Sequence, residues 1–281
     1  MSKFAIAIGA VALGFASLAM ASGQSATPVS PMQPPKPSGS LPQGGFFSIK
    51  GYLPQGGVPD SLLLNAPVPA KGSAAEKRDI EAQKAALKLQ GTARWVLAKR
   101  DAEIFVPNVT SIFSCASGIA LGSGKTPVTD NLLLRSMRDL GMSTAPTKRK
   151  YMRPRPFMVN GKPICTPDAE KTLRGDGSYP SGHAAIGFGM GLILAELLPN
   201  RAAQLVARGR AFADSRRICN VHWLADTEEG ALVSTAVVAR LHADPVFRAD
   251  LEAARAELVG LGSSAPPTED CAAEAATLAM R

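Results

Sequence analysis

The chain has 281 residues, a formal net charge of +8, three histidines, four cysteines and only 5% aromatic residues. A chain of this length supports one sizeable core, and abundant Ala, Leu and Arg with few aromatics lean toward helix. The positive balance fits nucleic acid, an anionic surface or an anionic small molecule and selects none of them. A structural zinc site is disfavoured, because no Cys-x-x-Cys pair occurs and histidines are scarce.

In chain order, Lys3, an apolar run over residues 4–18 and the small-residue pattern ending at Ala21 read as a secretory signal, residues 1–21, cleaved to leave a mature start near Ser22. The run is shorter than the ~20 apolar residues a spanning helix needs. Residues 22–59 are crowded with Pro, Gly and Ser, and read as a leader that crosses the surface or stays mobile. Ser73 and Glu76 form a capping box that opens a helix toward Gly91, followed by a second helical stretch over 92–104. A further helix is expected over 107–121, with Pro107 in its first turn.

Thr126 and Pro127 open the next helix, with Leu132, Leu133, Met137 and Leu140 on one face and Gly141 marking its end. Residues 143–179 read as irregular. Helical patterns then occupy 181–198, 201–213, 222–241 and 245–259. The internal apolar run 184–195 is cut off by Glu196 and Pro199, so no later segment reaches spanning length. These signals predict an all-α, single-domain bundle of about eight helices over residues 60–260, with Gly187 and Gly191 permitting a close helix crossing. Residues 261–281 read as a loose tail unless Cys271 pins it. Four cysteines in an exported chain, Cys115, Cys165, Cys219 and Cys271, suggest two disulfides, with three connectivities open.

Unusual residue types concentrate in three segments. His222 and Asp226, four apart, fall on one face of the expected helix, where the carboxylate can fix the ring tautomer and stabilise a positive ring. A surface His–Asp pair is the bland alternative, and Trp223 and Leu224 between them speak for burial. Ser181, Gly182 and His183 follow Pro180 and open an apolar helix, so free backbone N–H groups and the helix dipole converge there on an anion. An ordinary N-cap has the same appearance. Arg155 stands between Pro154 and Pro156, which hold its backbone out of the helical region and aim a planar fork suited to phosphate. Lys148 and Arg216 add two more cations for a transferring phosphoryl group. Arg149, Lys150 and Arg153 are readable as a plain basic loop.

Assembled, the segments resemble the phosphatidic acid phosphatase type 2 (PAP2) superfamily, which includes bacterial class A nonspecific acid phosphatases and vanadium haloperoxidases. The resemblance is carried by Lys148, six residues, Arg155-Pro156; by Pro180 to His183; and by Ser215-Arg216, five residues, His222, three residues, Asp226. Residues 177–183, 217–223 and 60–64 are similar to the class A branch, and Ala184 departs from it where Thr is usual.

The resemblance implies an all-helical, periplasmic or secreted phosphatase of broad specificity, with no metal or cofactor. It implies a phosphohistidine on His222, oriented by Asp226, with His183 as general acid. Lys148, Arg155, Arg216, Ser181 and the Gly182 N–H would hold the phosphoryl oxygens. Its partners would be small phosphomonoesters, not nucleic acid or membrane, and a homo-oligomer is compatible with the sequence. Disulfides are expected between Cys165 and Cys219 and, less strongly, between Cys115 and Cys271.

Two other readings use the same residues. A vanadium haloperoxidase would hold vanadate there, although such chains are generally longer. A noncatalytic exported phosphate-binding protein would need the cations but not the paired histidines. A membrane lipid phosphatase would need spanning helices that this chain lacks.

Overall fold

The computed structural model describes residues 49–106 and 108–280. The expected signal segment and the leader as far as residue 48 lie outside the described residues. Helices follow in the order α1 Ser61–Leu64, α2 Ala74–Leu87, α3 Ala93–Ala102, α4 Ser114–Ser117, α5 Pro127–Ser143, α6 Ala145–Tyr151 and α7 Pro156–Asn160. They continue as α8 Glu170–Arg174, α9 Gly182–Leu197, α10 Ala202–Ile218, α11 Leu224–Leu241, α12 Pro245–Leu261 and α13 Cys271–Leu278. The described residues contain no strand, so the all-α expectation holds.

Helix α9 is the axis of the core. Its residues Ala184, Ile186, Met190, Ile193, Leu194 and Leu197 are all buried, and α10, α11, α5 and α12 pack around it. A helix apolar on every side is stable only when covered on every side. The close crossing expected at Gly187 and Gly191 is present against α10. A Cβ on Gly191 would stand 2.9 Å from the Leu205 carbonyl, and one on Gly209 2.9 Å from the Gly187 carbonyl, so any side chain there would force the two helices apart.

Several expectations are corrected. Residues 109–117 form a 3-10 turn, Val109–Phe113, and then the single turn α4, rather than one helix. Ser117 Oγ donates to the carbonyls of Ser114 and Ile119, and Gly118 takes φ +77°, which together close the turn early. Gly141 does not end α5. The helix runs to Ser143, whose hydroxyl satisfies the Leu140 carbonyl at 2.6 Å, while that of Thr144 satisfies Gly141 at 3.0 Å. Residues 143–179, read as irregular, contain α6, α7 and α8, three helices too short to leave a periodic signal.

Neither end of the described chain is loose. Ile49 and Tyr52 are buried, the Tyr52 hydroxyl donates to Asp250 at 2.7 Å, and its backbone N–H donates to Asp139 at 2.8 Å. The tail folds as α13, capped by Asp270. Its Glu274 reaches Arg208 at 3.3 Å and Arg100 at 3.5 Å. The Cys115–Cys271 disulfide, Cα–Cα 5.2 Å, fixes it to the body, and Cys165–Cys219, Cα–Cα 4.8 Å, joins the segment after α7 to the end of α10. Both expected pairings are present. No described helix is long and apolar enough to cross a membrane.

Candidate active site

The chemistry-bearing segments converge where α6, the first turns of α7, α9 and α11, and the last turn of α10 meet. Arg155 is the N-cap of α7, extended at φ −76° and ψ 154°, as a residue held between two prolines must be. Ser181 caps α9 by accepting from Ala184 N–H at 3.2 Å, which leaves the Gly182 and His183 N–H groups at the positive end of a 16-residue helix. The Ser181 N–H donates to the Asp226 carbonyl at 2.8 Å. Gly230 lies so close to Ser181 that a Cβ there would collide with its carbonyl. Helix α11 therefore seats the turn that opens α9 directly.

His222 and Asp226 meet, but not as an i,i+4 pair on a helix. Helix α11 begins at Leu224, and His222 lies in the turn before it. That turn depends on Asn220 at φ +62°, a conformation Asn tolerates better than most residues. The Asn220 amide donates to the Lys162 carbonyl at 2.9 Å and accepts from Gln83 at 2.9 Å. Asp226 is at the third helical position, where its Oδ2 accepts the Trp223 N–H at 2.8 Å and faces His222 Nδ1 at 3.3 Å. The sequence pairing was right, and the geometry is a helix cap rather than a helix face.

His222 is 2% exposed. Its Nε2 faces Arg155 Nη1 at 3.1 Å, and because a guanidinium only donates, Nε2 carries the lone pair and Nδ1 the proton. Burial and then the charges of Arg155, Lys148 and Arg216 push its pKa well below the usual histidine value. His183 Nε2 donates to the Ala102 carbonyl at 3.2 Å. Burial and the charge of Arg216 lower this ring too. Burial raises Asp226 against the opposing pull of Arg153.

The three cations differ in how they are satisfied. Arg155, 1% exposed, donates through Nη2 to Asp176 Oδ2 at 2.9 Å and to the Gly177 carbonyl at 3.3 Å, and through Nη1 to the Val221 carbonyl at 3.0 Å. Lys148 donates to the same Asp176 oxygen at 3.2 Å and to the Gly177 carbonyl. Burial and the neighbouring Arg155 lower its pKa to about 8. Arg216 is 2% exposed, yet its Nε and Nη1 have no hydrogen-bond partner, and burial with the charge of Arg155 pulls it down to about 9. An unpaired buried guanidinium is costly unless something anionic is meant to meet it. No group of three or more His, Cys, Asp or Glu among the described residues is arranged to hold a metal ion.

Residues 132–249 match the model of the PAP2 superfamily. Over 211 residues, 75% of this chain and 80% of the relative, the sequence is 38% identical to the acid phosphatase of Zymomonas mobilis subsp. mobilis. This chain belongs to the PAP2 superfamily. It is also 38% identical over 209 residues to the non-specific acid phosphatase of Salmonella typhimurium, covering 74% of this chain and 83% of that one. The figure for the non-specific acid phosphatase of Providencia stuartii is 35% over 226 residues, covering 79% and 91%. The PAP2 match contains all the candidate residues from Lys148 to Asp226.

Three residues of this candidate site escape a reading by motif. Arg153, assigned to a plain basic loop, is largely buried and bridges Asp226 Oδ1 and Asp79 Oδ2, each at 2.7 Å, with its guanidinium 5.3 Å from the Trp223 ring centre. Asp79 comes from α2, outside the matched region, and its Oδ1 accepts the Ala225 N–H at 2.8 Å. Asp176 stands one residue before the Gly177–His183 segment. For Arg153 the available signal was its position two residues before Arg155 in the same stiff turn; for Asp79 there was none. Arg149 and Lys150 are exposed, in keeping with the plain reading.

Proposed function

We propose that this protein is an acid phosphatase that hydrolyses phosphate monoesters through a phosphohistidine at His222, without a metal. The observation that carries this reading is the unpaired, buried Arg216 beside a histidine whose Nε2 lone pair faces Arg155. The names of the relatives agree with it. The orphaned N–H groups of Arg216, together with Lys148, Arg155, the Ser181 hydroxyl and the Gly182 N–H, hold the phosphoryl oxygens. Side-chain cations thereby supply the charge stabilisation that a metal provides elsewhere.

In the first step His222 Nε2 attacks phosphorus, the P–N bond forms and the P–O ester bond breaks. The Nδ1–H stays on the ring, and Asp226 stabilises the positive imidazole. His183, anchored through Nε2 to Ala102, gives the proton on Nδ1 to the departing alkoxide. In the second step water attacks phosphorus, His183 takes its proton, the P–N bond breaks and orthophosphate leaves. The cations that keep both rings neutral in the free site are offset by the charge of the bound ester, which raises both histidines on binding. None of these groups reads the alcohol, so the specificity is broad.

Two disulfides support a periplasmic or secreted location. The test is turnover of p-nitrophenyl phosphate and alkyl phosphates in chelator, with rapid acid-free quenching to trap the intermediate. Turnover unaffected by chelator, competitive inhibition by orthovanadate, and an acid-labile, base-stable phosphoenzyme that disappears in His222→Ala are expected. Activity lost in chelator and restored by a divalent ion, or a phosphoenzyme that survives His222→Ala, would overturn the mechanism. Bromide oxidation by the vanadate-loaded protein without phosphatase activity would favour a haloperoxidase instead.

A further inference from the structure

Two of the three phosphate-facing cations already hold an anion from the chain itself. Asp176 Oδ2 accepts from Arg155 Nη2 at 2.9 Å and from Lys148 Nζ at 3.2 Å, and only Arg216 is left without partners. A carboxylate at this point has the charge and hydrogen-bonding character of a phosphoryl oxygen, and charge-assisted contacts of this kind are the stronger ones.

The backbone around Asp176 is tied independently of its side chain. Arg155 Nε donates to the Asp176 carbonyl at 3.1 Å, and Ser178 N–H donates to the Arg153 carbonyl at 2.9 Å. The intervening Gly177 lies so close to α6 that a Cβ would stand 2.9 Å from the Lys148 carbonyl. The Asp176 side chain, by contrast, is 49% exposed. It can therefore swing into solvent without disturbing the loop that presents Ser181 and His183. The neighbouring Arg174 on α8 does not compete for it, being paired with Glu170 at 2.6 Å and packed on the Phe157 ring.

We propose that Asp176 is a built-in counter-anion of the phosphoryl pocket, displaced from Lys148 and Arg155 when a phosphate ester binds and returning to them as orthophosphate leaves. An internal competitor lowers apparent affinity by the fraction of time it leaves the pocket open. For a half-exposed pair of contacts the factor is about tenfold. Substrate binding is weakened by that amount, and product inhibition with it.

The inference rests on the phosphatase reading, so its test uses binding as well as turnover. Orthophosphate binding is measured by calorimetry on the full chain as wild type, Asp176→Asn, Asp176→Ala and Asp176→Glu. The measurement is made near pH 5.5, because Asp176 is one of the groups that hold Lys148 up at about 8, and its removal would discharge the amine at higher pH. Asn keeps an acceptor for both cations, and Ala guards against that acceptor competing in turn. About tenfold tighter phosphate in Asn and Ala, near wild-type affinity in Glu, and a matching fall in both KM and the product-inhibition constant are expected. Equal or weaker phosphate binding in both neutral variants, with wild type still binding and hydrolysing, would overturn the inference and leave the phosphatase reading intact. A wild type that neither binds orthophosphate nor hydrolyses esters would overturn both.

Discussion

Arg216 gives the most direct test of whether the site is strained for its ligand. In the free protein its Nε and Nη1 lack partners, and each buried unsatisfied donor costs about 1–3 kcal/mol. Burial and then the charge of Arg155 pull its pKa down to about 9, a fall that at ~1.4 kcal/mol per unit is again on the order of 5 kcal/mol. The folded value lies below the unfolded one, so the unfolded chain holds this proton more tightly. The cost is therefore fully present below about pH 9 and fades as pH rises further. Arg216→Met keeps most of the volume and removes the charge. Its other nearby charge, Asp101, remains paired with Arg208 at 2.6 Å. After allowance for lost attraction to Asp101 we expect a gain of about 2 kcal/mol, or about 4–8 °C in Tm for a domain of this size, read by scanning calorimetry near pH 7. Activity should fall by about 10²–10³. Saturating orthophosphate should raise the Tm of wild type and not that of the variant. If Arg216→Met lowers Tm, the guanidinium supports the fold and its unpaired N–H groups are not a reserve for anions.

The two histidines predict a pH effect of defined sign. Both are held well below the ordinary value, so the unfolded state binds more protons and the free protein loses stability as pH falls through about 6.5. Phosphate reverses this by raising both rings, and calorimetry in buffers of different ionisation heat near pH 5.5 should register proton uptake on binding; buffer-independent heats would contradict it. Arg153→Ala leaves Asp79 and Asp226 buried and unpaired and should cost about 3–5 kcal/mol with a large fall in kcat, whereas a thermal midpoint within a degree or two of wild type would show that the bridge carries no load. His222→Ala should abolish turnover of every ester, while His183→Ala should slow alkyl phosphates far more than the burst with p-nitrophenyl phosphate, whose leaving group departs unprotonated. Equal loss of burst rate for both ester types would remove His183 from the role of acid.

Much of the site was legible because its groups lie in three short segments whose spacing reflects local geometry. The prolines flanking Arg155 and the Ser-Gly-His cap of α9 are devices whose shape follows from the residues themselves. The His222–Asp226 pair was legible for an incomplete reason, since a spacing of four fits a helix face and a capping turn equally well. Arg153 and Asp79 were not legible, because a bridge between α2 and the segment before α7 is fixed by tertiary packing that no local pattern announces. The same holds for α6 to α8, too short for periodicity, and for α13, whose docking depends on Cys115 and Arg208, both far away in the chain.

On the proposed reading, the arrangement of charge favours a monoester over a diester in this pocket. Lys148, Arg153, Arg155 and Arg216 form one cationic cluster, and both histidines in it are neutral. Arg153 is committed to two buried carboxylates, Asp79 and Asp226, while Lys148 and Arg155 share the single carboxylate of Asp176. Four cations against three carboxylates leave a net charge of one over the cluster, and Arg216 is the cation with no carboxylate of its own. When Asp176 swings out, the surplus in the pocket becomes two. A phosphate monoester dianion cancels that surplus, whereas a diester carries one negative charge and leaves a cation uncompensated in a buried site, which is penalised heavily. A preference for monoesters would thus follow from Asp176 and Arg216 together, and neutralising Asp176, which makes the surplus of two permanent, should preserve or widen the discrimination between the two ester classes, read as the ratio of kcat/KM for p-nitrophenyl phosphate and bis-p-nitrophenyl phosphate.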